Sequence, residues 1–127
     1  MNKRNKTIYW ATTAFLAFGM LAQGLTQMAH SEGYVEMIVV NLGYPVYFLN
    51  IIGFWKILGV VAILIPGFKL LKEWAYAGFF FVMSGAAYSH FAAGDSVMTT
   101  LPALVLLIMI GVSWYSRPAD RKIITVN

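Results

Sequence analysis

The sequence predicts an all-α integral membrane protein, an up-down four-helix bundle with a short interfacial helix between the first and second spans. Three observations carry this. Of 127 residues, 60% are hydrophobic and 11% charged, against about 25% charged in a soluble domain, and the mean hydropathy is +0.71. The apolar residues gather into four stretches of membrane-crossing length. Finally, eight of the nine Lys and Arg residues fall between or outside those stretches, all on one side of the implied membrane. Lys3, Arg4 and Lys6 precede the first stretch, Lys69 and Lys72 separate the second from the third, and Arg117, Arg121 and Lys122 follow the fourth. This is the positive-inside pattern of four spans with both termini in the cytoplasm, and it predicts a multi-pass membrane protein.

The elements follow in order within one transmembrane domain, residues 1–127. The first span covers about 8–28, long enough at 1.5 Å per residue to cross roughly 30 Å of hydrocarbon. Its apolar run is too long for a signal-peptide core and lacks a small-residue cleavage site, so it is expected to stay as an anchor. The next segment holds His30, Glu32 and Glu36 and no Lys or Arg, which places it outside. Its apolar residues are too few to span and predict a short helix on the outer interface, ended by Gly43. Pro45 suits the first turn of the second span, about 45–65, which Pro66-Gly67 terminates. The third span, about 74–92, carries Gly78, Gly85 and Ser89 near one face, where a neighbouring backbone could approach. Gly94-Asp95-Ser96 makes a turn into the fourth span, about 97–115. Such short connections force neighbouring helices to be antiparallel.

The ninth basic residue, Lys56, falls in the middle of the second span, and an ionisable residue at membrane depth marks a functional site by default. Helical side chains lean toward the helix N-terminus, so Lys56 leans outward and His90, on a span of opposite direction, leans inward to the same level. Gln23, Gln27 and Asn50 occupy neighbouring outer positions. Glu36 or Asp95 is expected to complete a polar cluster with Lys56 and His90. The inner half offers little beyond Thr12, Thr13, Tyr76 and Ser84 and reads as nearly dry. Structural readings stand beside these: Lys56 as a packed or snorkelling lysine paired with a carboxylate, His90 as a hydrogen-bonded interface residue, and the glutamines as glue between helices.

Several chemistries are excluded or unsupported. The chain has no cysteine, hence no disulfide, thiolate metal site or thiol relay. No pair of His or carboxylates has metal-ligand spacing, and a single intramembrane histidine among scattered methionines is thin support for haem, so neither metal nor haem is expected. The basic residues sit at helix ends rather than along one stripe, which points to anionic lipid heads and not to nucleic acid. Without an acid–base pair, a nucleophile constellation or a phosphate loop, a complete enzyme is not expected.

Asn41-Leu42-Gly43-Tyr44-Pro45, the segment Gly53-Phe54-Trp55-Lys56-Ile57-Leu58-Gly59, Pro66, Lys72-Glu73-Trp74-Ala75-Tyr76-Ala77-Gly78, Ser89-His90, Gly94-Asp95 and Pro102 occur in an order that resembles the DoxX-like membrane proteins, over nearly the whole chain. The resemblance implies a small four-helix bacterial inner-membrane protein. The wider DoxX group includes a small subunit of an archaeal thiosulfate:quinone oxidoreductase, proteins of methylamine utilisation, and eukaryotic chaperones or cargo receptors. Three function classes follow. The first is an accessory subunit of a membrane redox system whose polar layer holds a quinone head or another small amphipathic molecule. The second is a noncatalytic assembly factor or chaperone that engages a partner protein, with a homo-oligomer also compatible. The third, a small transporter, ranks last because the first span lacks the membrane carboxylate of four-span multidrug exporters.

Overall fold

The computed structural model describes residues 3–121; of the basic residues used above, Lys122 lies outside them. All the regular elements among the described residues are helical. Helix α1 (Lys3–Met28) is followed by a single helical turn, α2 (Glu32–Tyr34), that runs directly into a π-helical segment (Val35–Asn41). Helices α3 (Tyr47–Leu64), α4 (Lys69–Ala92) and α5 (Val97–Tyr115) follow, and a 3₁₀ turn (Ala119–Arg121) closes the described chain. The four long helices touch in a closed ring, α1 on α3, α3 on α4, α4 on α5 and α5 on α1.

Local signals explain most boundaries. Gly43, Gly67 and Gly94 all have positive φ, at 81°, 75° and 76°, the left-handed conformation that ends helices and that glycine adopts without strain. At the end of α4 the Gly94 amide donates to the Phe91 carbonyl (3.1 Å) and the Asp95 amide to the His90 carbonyl (2.9 Å), the paired bonds of a Schellman cap. Ser96 then caps α5, its hydroxyl accepting from the Thr99 amide at 3.3 Å. Helix α1 begins at Lys3 rather than near Ile8, and α4 at Lys69 rather than at Trp74, because Lys and Arg are good helix formers and continue the helix past its apolar part.

Burial is confined to the faces that the helices turn toward each other. Leu16, Met20, Val60, Ile63, Phe79 and Leu106 belong to one buried cluster, while Phe18, Trp55, Phe81, Phe91 and Ile108 lie exposed on the outside. Three helices, α1, α3 and α5, are long and apolar enough to cross a membrane. Exposed apolar surface on this scale has no place in water, and the chain is a membrane protein.

Glycines allow a close helix contact. A Cβ on Gly53 would fall 2.7 Å from the Gly24 carbonyl oxygen, and one on Gly24 would fall 2.8 Å from the Gly53 carbonyl oxygen. Backbone thus meets backbone where α1 crosses α3, the close approach that small residues permit between membrane helices. Gly59 is similarly covered, since a Cβ there would fall 2.5 Å from the Phe79 ring.

The end of the molecule that gathers the N-terminus of α1 and the C-terminus of α5 is not dry, which corrects the expectation for that half. Ser113 shares hydrogen bonds with Thr13 (2.6 Å) and Tyr76 (2.7 Å). Arg121 folds back into the structure, donating to the Tyr9 hydroxyl (2.8 Å) and to the carbonyls of Ile63 (2.9 Å) and Leu64 (2.8 Å), with its guanidinium 4.9 Å from the Trp10 ring centroid. Lys72 donates to the carbonyls of Ala62 (2.8 Å) and Ile65. Two cations therefore satisfy the carbonyls left unpaired at the C-terminus of α3, where the helix dipole also favours positive charge. Glu73 accepts from both Arg117 and the Trp114 indole.

Candidate functional site

At the opposite end a cavity of about 300 Å³ lies between the helices. Gln23 and Gln27 of α1, Lys56 of α3, and Ser89 and His90 of α4 are in its wall, with Pro102 and Ala103 of α5. The π-helical segment and its flanks cover it, contributing Tyr34, Met37, Ile38, Leu42 and Tyr44. An amphipathic segment too short to span thus has a definite use: its apolar face, with Ile38 buried, closes one side of the cavity. Tyr44 fastens this cover to α4 through a 2.8 Å hydrogen bond between its hydroxyl and that of Ser89. Burial pushes the Tyr34 phenol above its ordinary range, with the Thr26 hydroxyl a smaller opposing influence.

Lys56 is the centre of the arrangement. It is 4% exposed, and its ammonium donates one hydrogen bond, to Gln23 Oε1 at 2.8 Å. Among the described residues the ion pairs are His90 with Asp95 and Arg117 with Glu73, so no carboxylate lies within ion-pair distance of the Lys56 ammonium. An ammonium has three donors, and two of these remain for whatever enters the cavity. The Gly24–Gly53 crossing positions the group, since Gln23 is adjacent to Gly24 and Lys56 lies one turn beyond Gly53. Gln27, 2% exposed, adds a buried Oε1 with no hydrogen-bond partner.

His90 and Asp95 form a second polar pair, Nδ1 to Oδ2 at 2.7 Å. The Schellman cap of α4 brings the Asp95 backbone under the last turn, and the carboxylate reaches the ring from there. Of the residues expected to group together, Gln23, Lys56 and His90 line the one cavity, and Asp95 holds His90 from outside its wall. Glu36 and Asn50 do not line it. Glu36 is exposed, and Asn50 Oδ1 accepts a hydrogen bond from His30 Nε2 at 2.7 Å at the surface. Tyr34 carries no distinctive sequence signal, and Tyr44 stands out in the sequence only as part of the Asn41-Leu42-Gly43-Tyr44-Pro45 string.

A second, longer depression of about 540 Å³ runs along the outside between α3 and α4. Apart from Lys56, every residue lining it is apolar or glycine, and Trp55 and Trp74 stand exposed on its rim. Ile52, Lys56 and Val82 line both spaces. Among the described residues no group of three His, Cys, Asp or Glu side chains could hold a metal ion.

Helices long and apolar enough to cross a membrane, packed around a small covered cavity, are the build of a helical membrane protein. The chain belongs to the DoxX-like family, whose model matches residues 11–112. No curated protein and no solved structure matched it.

Proposed function

We propose that this DoxX-like protein binds a small polar-headed ligand in the cavity beneath the π-helical cover, serving as an accessory subunit of a membrane redox system, with a quinone among the candidate ligands. One observation carries the reading: among the described residues the buried Lys56 amine has one hydrogen-bond partner and no carboxylate beside it, and it lines an open space. A lysine kept only for structure would be packed against its partners, because leaving charge unpaired in a low-dielectric interior is costly. The setting is a four-span bundle in which α4 is the fourth long helix to cross and the segment around Val35–Asn41 lies at the outer surface. Support for α4 crossing comes from its 24 residues and its place in the ring between α3 and α5. The basic residues at the opposite end favour cytoplasmic termini.

Gly85 offers a direct test. It lines the cavity, and a Cβ built on it meets nothing within 4 Å, so Gly85→Leu fills the space without straining the helices. Native mass spectrometry of protein released from lipid nanodiscs should show a retained small-molecule mass on the wild type and its loss from Gly85→Leu, with thermal stability preserved. A wild-type spectrum of bare protein sinks the ligand reading, and a retained protein mass favours an assembly factor instead.

A further inference from the structure

We propose that the ligand is a single-chain amphiphile with an acidic head, the head paired with Lys56 in the cavity and the apolar chain leaving sideways along the groove between α3 and α4. This rests on the ligand-binding reading above and narrows it to a chemical class that sets the neutral quinone head aside. The polar end of Lys56 is turned into the cavity, because Gln23, its hydrogen-bond partner, lines the cavity and not the groove. The body of the same residue borders the groove. One side chain therefore marks the partition between a polar compartment and an apolar one.

The chemistry of the two compartments differs as the two ends of an amphiphile do. In the cavity the Lys56 amine has hydrogen-bonding positions unused beside its one bond to Gln23, and an acidic head supplies both the acceptors for them and the counter-charge that holds the amine protonated. Gln27 supplies a further buried polar atom without a partner. Its amide also presents a donor when turned over, at no change of shape. The groove is lined by apolar side chains and open to lipid along Trp55, Leu58 and Val61, all exposed. From Lys56, where the head is held, to Ile65 just past the end of α3 it follows about 14 Å of chain, about the reach of an extended alkyl chain of eleven or twelve carbons. Gly78 keeps it open: it lines the groove, and a Cβ there would meet nothing within 4 Å.

Equilibrium binding of radiolabelled dodecanoate to the protein in nanodiscs, with empty discs as the blank, tests this. Saturable binding is expected, with at least tenfold weaker competition by dodecanol, which lacks the acid, and by butyrate, which lacks the chain. Lys56→Met and Gly85→Leu should each abolish it, and Gly78→Leu should weaken it severalfold while preserving thermal stability. Gly85→Leu keeps the test decisive if Lys56→Met does not fold. The proposal is overturned if dodecanol competes as well as dodecanoate, if Gly78→Leu binds normally, or if no saturable binding is seen. A retained neutral molecule lost from Gly85→Leu, together with no dodecanoate binding, removes the acidic amphiphile and leaves the ligand site standing. Bare wild-type protein that binds no dodecanoate removes both.

Discussion

Replacing Gly53 by Ala isolates the energy of the α1–α3 crossing. The new methyl would sit 2.7 Å from the Gly24 carbonyl oxygen, 2.7 Å from Met28 Cγ and 3.2 Å from the Met28 backbone nitrogen. Ordinary contact begins near 3.4 Å, so two of these distances need about 0.7 Å of relief. The methionine can rotate away, but the carbonyl belongs to a helix backbone and moves only with α1. Overpacking of this kind costs about 1–3 kcal/mol, against a helix-propensity gain for Gly→Ala of up to about 1 kcal/mol. Gly78→Ala supplies the reference, since its methyl meets nothing within 4 Å and keeps the propensity gain without the clash. The difference between the two variants should therefore be about 1–3 kcal/mol, with Gly53→Ala the less stable. Reversible unfolding in mixed detergent micelles measures it. Equal stabilities would show that the helices do not cross in backbone contact at Gly24 and Gly53, and the positioning of Lys56 against Gln23 would lose its physical basis.

Two further outcomes are expected. Arg121→Met removes a charged donor from the Ile63 and Leu64 carbonyls and from the Tyr9 hydroxyl, and with hydrogen bonds to charged groups at about 1.5–3 kcal/mol the same unfolding assay should register a loss of at least about 2 kcal/mol; an unchanged midpoint would return Arg121 to the role of a lipid-facing topology signal. Single cysteines at positions 36 and 120 of this cysteine-free chain, treated in intact cells with a membrane-impermeant thiol reagent, should label at 36 and not at 120, and the reverse would invert the proposed orientation.

The helices are legible in the sequence because a membrane imposes a simple rule: long apolar runs interrupted by Gly, Pro and charge. Gly43, Gly67 and Gly94 mark ends that the backbone does adopt, and the four long helices fall close to the four apolar stretches. Lys56 is legible for the same reason, as a charge where the solvent tolerates none. The partners of that charge are not. A carboxylate is the expected neighbour on electrostatic grounds, yet the structure gives Lys56 an uncharged glutamine and leaves Glu36 at the surface. Register between helices decides such pairings, and here register is fixed at the Gly24–Gly53 crossing, which depends on which glycines face each other and not on their number.

The buried polar groups at the terminal end escape a sequence reading for a related reason. Depth along a span says how far a residue is from water but not which way it faces. Ser113 is a single small hydroxyl in the apolar run of α5 after Thr100, and only its position on the side facing α1 and α4 joins it to Thr13 and Tyr76. Arg121 reads as one more basic residue of a tail, but the turn after Pro118 returns it to the α3 carbonyls. The two ends thus use their cations in opposite ways. Lys72 and Arg121 direct their donors to carbonyls of α3, which fixes the helix end and leaves little for a ligand. Lys56 gives one bond to Gln23 and keeps the rest toward an open cavity. That difference in free hydrogen-bonding capacity, rather than burial of charge alone, is the ground on which Lys56 is proposed to bind a ligand while Lys72 and Arg121 hold the helix end.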